Sequence, residues 1–251
     1  MKKIINRHFS ILELLNQDET LEINALAERL GVSPSTVRKD LNELESQGLL
    51  QRKHGYAARV ARSDIGYRMV FDYDVKKRIA ARACEMISYG EVVMIESGST
   101  CAMLAEEIAK TKRDVTIITN SVFICGHIRL IPGVRVIILG GSYNPEAQVM
   151  TGSMVRRCAE QLHVDKFFFG TDGYHPGQGF YGDDIDRVEA VRCMAAQASK
   201  RIILTTSQKF GRRSLAVLLP AKDISTVITD SIPGNCRKSL EECGVEIILA
   251  R

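Results

Sequence analysis

The sequence predicts an α/β protein: a small N-terminal winged helix-turn-helix domain followed by a doubly wound, mostly parallel α/β domain. Two patterns carry this expectation. Residues 3–50 show helical stripes punctuated by capping residues, and beyond residue 90 short β-rich runs alternate with amphipathic stretches. The length of 251 residues suits one domain of ordinary size and a smaller one. With 45% hydrophobic and 25% charged residues, the chain has the make-up of a globular protein, which excludes disorder, collagen and coiled coil as whole-chain descriptions.

The first helix is read from Ile4, His8, Ile11, Leu12 and Leu15, which fall on one stripe. Ile23, Leu26, Ala27 and Leu30 form a second. Gly31 stops that helix, because a helix end commonly needs a left-handed residue. Ser33 then offers an N-cap oxygen. Pro34 suits the first helical position, where its missing N–H would have no partner anyway. Val37, Leu41 and Leu44 give the third helix its inner face, and Gly48 marks its end. Short extended runs from Leu49 to Val60, around His54-Gly55, predict a two-stranded wing. Residues 61–74 show little periodicity and read as a linker, and a helix is expected from about Val75 to Ile87.

Seven β-rich runs follow: Val92–Glu96, Val115–Thr119, Val134–Leu139, Lys166–Gly170, Arg201–Thr205, Thr226–Thr229 and Glu246–Leu249. Helical stretches such as Ala102–Ala109 and Ile185–Ala198 separate them, the pattern of βαβ units. The domains are therefore expected at 1–60, 61–74 (linker) and 75–251.

Charge is informative only locally. The formal net charge is +4, which neither demands nor excludes an anionic partner. Residues 32–60 hold five basic side chains (Arg38, Lys39, Arg52, Lys53, Arg59) against three acidic ones (Asp40, Glu43, Glu45), whereas residues 1–31 hold four against five. Ser35, Arg38, Lys39 and Asn42 share the outer face of the third helix. Ser and Asn can hydrogen-bond base edges, Arg and Lys can reach guanine or phosphate, and the helix N-terminus adds N–H donors. The candidate DNA contacts are Ser33, Ser35, Thr36, Arg38, Lys39, Asn42, Arg52, Lys53 and His54.

Seven scattered cysteines without a CxxC read as free thiols rather than a disulfide or zinc framework. No metal or cofactor is expected. Arg7 and Glu13 interrupt the apolar start, so a signal peptide is not expected. No apolar run approaches the ~20 residues of a membrane span.

In the larger part, Ser97-Gly98-Ser99-Thr100 lies between the first β-rich run and a helix. Small residues let an anion approach the backbone, and hydroxyls and helix N–H groups can hold a phosphate. Asn120 and Ser121, Gly141, and Asp172 end the next strands. Open α/β sheets bind ligands at such strand ends. Glu189 and Lys209 are charged candidates nearby. Each turn could also be nothing more than N-capping or turn chemistry.

Leu30-Gly31-Val32-Ser33 followed by Thr36-Val37-Arg38-Lys39-Asp40-Leu41 resembles the helix-turn-helix of DeoR-family bacterial transcription regulators, and the resemblance extends over nearly the whole chain. It implies a cytoplasmic DNA-binding regulator that represses a carbohydrate operon and is released or modulated by a phosphorylated sugar. A symmetric operator implies a homodimer or homotetramer. Arg38 would face DNA, whereas Asp40 would pair locally, since phosphate repels a carboxylate. Gly55-Tyr56 stands where the family usually has paired glycines. Arg68 and Lys77 match family positions and are candidates for coupling the two parts.

The family's effector domain in turn resembles ribose-5-phosphate isomerase. By that resemblance Asp172 and Glu189 fall on two of the enzyme's acidic positions. Phe169 stands at its first acidic position and Phe180 at its catalytic lysine. Thr206 occupies a place usually held by Asp, ahead of Lys209-Phe210-Gly211. Half of the catalytic set is missing, so binding without turnover is expected. The alternatives are an active sugar-phosphate isomerase carrying a DNA-binding domain, or a purely oligomerising C-terminal part.

Overall fold

The computed structural model describes the backbone of residues 2–251 and the side chains of residues 6–251. Ile4, assigned above to the first stripe, lies outside the described side chains. The chain divides into two compact units, Met1–Phe71 and Asp72–Arg251.

The first unit contains α1 (Lys2–Asp18), β1 (Thr20–Glu22), α2 (Ile23–Leu30), α3 (Pro34–Ser46), β2 (Leu50–Lys53), β3 (Tyr56–Arg59) and α4 (Ile65–Val70). The stripe residues meet as foreseen: Ile11, Leu12, Leu15, Leu26, Val37, Leu41 and Leu44 are all buried in one cluster. The punctuation also matches. Gly31 caps α2 at φ 64°, and the Ser33 side chain accepts from the Thr36 amide at the start of α3. Leu49 N–H donates to Leu44 O beyond Gly48, closing the end of α3.

Two elements here were not foreseen. The wing is a three-stranded antiparallel sheet in the order β1-β3-β2, with Leu21 opposite Ala57. The stretch read as an aperiodic linker contains α4, whose Tyr67 is 2% exposed and donates its hydroxyl to Leu12 O at 3.2 Å. Phe71 packs edge-on against the Tyr67 ring. A three-residue strand and a six-residue helix are too short to carry a period, and their stability comes from the core they join.

The second unit opens with α5 (Tyr73–Cys84), two residues earlier than expected at its start and three at its end. It continues with β4 (Val92–Ile95), α6 (Ser99–Thr111), β5 (Val115–Thr119), α7 (Val122–Ile128), β6 (Val134–Ile138), β7 (Ser142–Asn144), β8 (Val149–Thr151), α8 (Ser153–Ala159) and β9 (Val164–Phe169). Next come β10 (Gly173–His175), β11 (Gly179–Gly182), α9 (Ile185–Ala195), β12 (Ala198–Leu204), β13 (Ala216–Leu219), β14 (Thr226–Thr229), α10 (Gly234–Glu242) and β15 (Glu246–Leu249).

All seven foreseen strands form one parallel sheet in the order β15-β14-β12-β9-β4-β5-β6. Phe167, Phe168 and Phe169 of β9 are each fully buried. Successive strand residues point to opposite faces, so both faces of the sheet are covered there. Helix α5 packs on α6 and α6 on α7, while α8 packs on α9. The strand order runs outward from β4 to β6 in one direction and from β9 to β15 in the other. Right-handed crossovers place the helices of these two halves on opposite faces. The β7–β8 hairpin and the antiparallel sheet β10-β11-β13 were not foreseen. Their strands are three or four residues long.

Candidate nucleic-acid interface and ligand crevice

Burial of Val37, Leu41 and Leu44 fixes how α3 is rotated, which leaves Ser35, Arg38, Lys39 and Asn42 exposed. Among the described residues, neither Arg38 nor Lys39 has a charged partner. Asp40 is the exception on this helix: it is buried, bound by two nitrogens of Arg7 and lies 3.2 Å from His8 Nε2. Burial would push its carboxyl up, but hydrogen bonding and charge from Arg7, aided by His8, hold it below its ordinary value. Asp40 is thus a packing and orienting group.

The remaining candidates divide by occupation. The Ser33 hydroxyl accepts from Thr36 N–H at 3.2 Å and lies 2.8 Å from Ser35 Oγ, so capping occupies it. Thr36 is half-buried. The Arg52 guanidinium donates to Asn42 Oδ1, and the Arg52 amide donates to Glu45 at 2.8 Å. These bonds tie β2 to α3 and merge wing and helix into one polar surface. Lys53 and His54 are exposed at the hairpin turn, where Gly55 adopts φ 78°.

In the sheet, the order reverses between β4 and β9. The connections leaving these neighbours part to opposite faces and open a crevice beyond their C-terminal ends, the usual ligand position in open α/β sheets. Ser97, Ser99 and Thr100 are buried there. Gly98 is the N-cap of the 13-residue α6 and has no side chain to bond its first amides. The Ser97 hydroxyl donates to Ala147 O at 3.4 Å, which brings the β7–β8 hairpin close to the turn.

At the end of β5, Asn120 donates to Met150 O at 3.1 Å, and its buried Oδ1 has no hydrogen-bond partner among the described residues. Ser121 caps α7 by accepting from Ile124 N–H. Asp172, after β9, accepts from the Asp183 amide at 3.2 Å and lies 3.8 Å from Lys209 Nζ. Ser207, beside the unusual Thr206, is held by Asp230, which accepts from its amide at 2.7 Å and its hydroxyl at 2.8 Å.

Two further candidates, Glu189 and Gly141, have structural roles of their own. Glu189 is about half exposed and pairs with Arg156 at 3.1 Å and Arg192 at 3.3 Å, outside the residues lining the crevice. A Cβ on Gly141 would lie 2.5 Å from Thr151 O and 2.7 Å from Val155 Cγ2. The glycine is therefore required where the hairpin approaches the backbone.

A pair that the sequence reading missed occupies the crevice instead. Glu96 is 1% exposed, and Arg187 Nη2 lies 3.2 Å from its Oε1. Together with Thr171, Asp172 and Asp183 they line a narrow cleft of about 10 Å³, room for about one water molecule. Burial disfavours the Arg187 charge, but Glu96, Asp172 and Asp183 outweigh it and raise the pKa. Arg187 lies two residues before Glu189 on α9, and the helical turn sends the two side chains in nearly opposite directions. The spacing from Asp183, to which Arg187 is also paired at 3.5 Å, was the available signal.

Phe169 and Phe180, at the positions matched above to a catalytic acid and lysine, are fully buried. Phe169 stacks on Phe167 at 4.6 Å and Phe180 lies 4.7 Å from Tyr174. All seven cysteines are free thiols. No group among the described residues has the make-up of a metal site, and no helix among them is long and apolar enough to cross a membrane.

Comparison with known proteins matches residues 7–63 to the DeoR-like helix-turn-helix domain and residues 72–231 to the DeoR C terminal sensor domain. The chain is similar to the HTH-type transcriptional regulator GlpR of Haloferax volcanii, 28% identical with 95% of this chain and 94% of the relative covered. It is similar to the HTH-type transcriptional regulator UlaR of Shigella dysenteriae, at 29% with 96% and 97% covered. It is also similar to the L-fucose operon activator of Haemophilus influenzae, at 27% with 95% and 97% covered. Among solved structures, ribose 5-phosphate isomerase A of Neisseria gonorrhoeae aligns at a TM-score of 0.41 and 17% identity, covering 55% of this chain and 54% of the enzyme. Two matched family models, one on each unit, together cover most of the sequence: the chain belongs to the DeoR family of transcriptional regulators.

Proposed function

We propose that the protein is a cytoplasmic repressor of a carbohydrate operon, released or modulated by a phosphorylated sugar. In this reading α3 enters the major groove. Arg38, Lys39 and Ser35 meet bases or phosphates, while the N-terminus of α3 at Ser33 and Thr36 offers backbone donors. Lys53 and His54 of the wing, with the Arg52–Asn42 pair behind them, track the phosphate backbone. The observation that carries the DNA assignment is the exposed Arg38–Lys39 pair, which has no charged partner among the described residues on a helix whose inner face is full.

The effector's phosphate would sit on the Ser97–Thr100 turn at the N-terminus of α6. Asn120, with its orphaned oxygen, Asp172 and Lys209 would border the ligand. Residues 61–74, carrying Arg68, and α5, carrying Lys77, would couple the units. A ligand must bind the two arrangements with different affinity to shift them. A homodimer or homotetramer would match a symmetric operator.

The test selects genomic fragments with the full chain and repeats the selection with sugar phosphates present. Enrichment of a two-fold-symmetric site that one sugar phosphate abolishes is expected. No enrichment, or enrichment indifferent to every phosphorylated sugar, would sink the respective half of the proposal.

A further inference from the structure

Helix α9 and strand β13 carry three large apolar side chains on the surface of the second unit. Ile185 is 61% exposed, Leu215 67% and Val217 38%. The chain brings them together. Tyr181 pairs with Val217 and Gly182 with Ala216. Arg192 of α9 donates to Val217 O and Leu218 O, and a Cβ on Gly182 would lie 2.6 Å from Val188 Cγ2 of the same helix. The helix therefore runs alongside β13, and one turn nearer its start Ile185 comes level with Leu215. Leu218 is buried in the core, so Val217, its neighbour on the strand, points outward.

Charges of opposite sign flank this apolar strip. Asp186, next to Ile185, is exposed and has no ion-pair partner among the described residues. Arg212 and Arg213 are exposed and equally unpaired. They lie on the far side of β13 from α9: a Cβ on Gly173 of β10 would meet Arg212 O at 2.5 Å, and β11 separates β10 from β13. By contrast Glu189, one turn along α9, is paired within the chain. A surface that is apolar in the middle, acidic at one end and basic at the other is complementary to itself after a half-turn. The acid of one copy then meets the bases of the other at both ends, which is the arrangement of an isologous contact. Covering the exposed Ile, Leu and Val removes apolar area from water, and a charged rim around an apolar centre fixes the register.

We infer that the α9–β13 surface is a two-fold interface between two copies of this chain, with Ile185, Leu215 and Val217 at its centre and Asp186 of each copy facing Arg212 and Arg213 of the other. This interface rests on the reading of the protein as a homo-oligomer and adds where the copies meet.

The test is the mass of the full-length protein in solution, from sedimentation equilibrium over a concentration series. The parent is expected to associate. Leu215→Asp, at a position exposed in the single chain, should weaken association about ten-fold or more and halve the mass, with the far-UV circular dichroism unchanged. Asp186→Arg sets arginine against arginine at both ends of the interface, and Arg213→Asp sets acid against acid, so each variant alone should come apart. Mixed in equal amounts, the two restore opposite charges at both ends, and a mixed assembly of the parent's mass should form. A parent that stays monomeric throughout overturns the homo-oligomer and the interface together. A parent that associates while Leu215→Asp associates as tightly overturns the interface and leaves the homo-oligomer standing. Charge variants that behave like the parent, or a mixture that stays apart, overturn the two-fold pairing of the charged ends.

Discussion

Arg7 on α1 and Asp40 on α3 lie 33 residues apart and form a two-pronged ion pair, with Nη2 at 2.7 Å from Oδ1 and Nε bonded to Oδ2. Asp40 is 2% exposed, and His8 closes on the same carboxylate from the next position of α1. The pair sits on the side of α3 that faces the protein, away from Arg38 and Lys39. It therefore sets the rotation of the helix without touching its exposed surface.

Removing one member of a buried pair leaves the other uncompensated, at a cost of about 3–5 kcal/mol. The Arg7 side chain is 22% exposed, so the lower end applies. Asp40→Ala should lower the denaturation midpoint of the first unit accordingly, followed in full-length protein by amide exchange within α3. Because the folded carboxyl titrates below its ordinary value of 3.8, its stabilisation is fully present above that value. It is lost as pH falls from there through the folded pKa. Asp40→Asn should flatten the acid-unfolding profile of this unit in that window. A profile identical to the parent's would remove Asp40 from the linkage.

Lys39→Ala should weaken operator binding while leaving the fold unchanged, since the side chain is exposed. Losing one phosphate contact reduces the slope of log K against log salt by about 1. Binding measured across a salt series checks this. The same affinity and slope in the variant would take Lys39 out of the interface.

Ser99→Asp places a carboxylate at the first position of α6. The helix dipole favours an acidic group there and burial of Ser99 opposes it, so the variant's own melt is measured first. The carboxylate would repel a phosphate from the same amides and abolish the thermal shift given by sugar phosphates. A normal shift in a folded variant would mean that the phosphate binds elsewhere.

Gly141→Ala should destabilise the second unit without any ligand present. The added methyl would meet Thr151 O and Val155 Cγ2 well inside contact distance, and backbone oxygen cannot swing aside. A cost of about 1–3 kcal/mol is expected for such overpacking, read as a lowered melting temperature. An unaltered melt would show that the hairpin can move away at no cost.

The sequence by itself determined what depends on near neighbours. The stripe Val37, Leu41 and Leu44, the cap at Ser33 and the stop at Gly31 all act within about one helical turn, so residue order specifies them. The seven β-rich runs of the parallel sheet were legible because buried strands read as apolar runs bounded by turns. The polar face of α3 followed from the same periodicity.

Tertiary structure alone decided which groups meet across long stretches of chain. Glu96 and Arg187 are 91 residues apart, and only the switch in strand order brings them together. Glu189, two residues from Arg187, turns away to Arg156 and Arg192 because α9 is rotated by the core residues Val188 and Val191. Strand β1, helix α4 and the β7–β8 hairpin are too short to declare themselves and form by packing on surfaces made elsewhere. The sequence thus pointed to the strand ends by their small and hydroxyl-bearing turns. The charged wall of the crevice came from packing, because an ion pair between distant segments leaves no periodic trace along the chain.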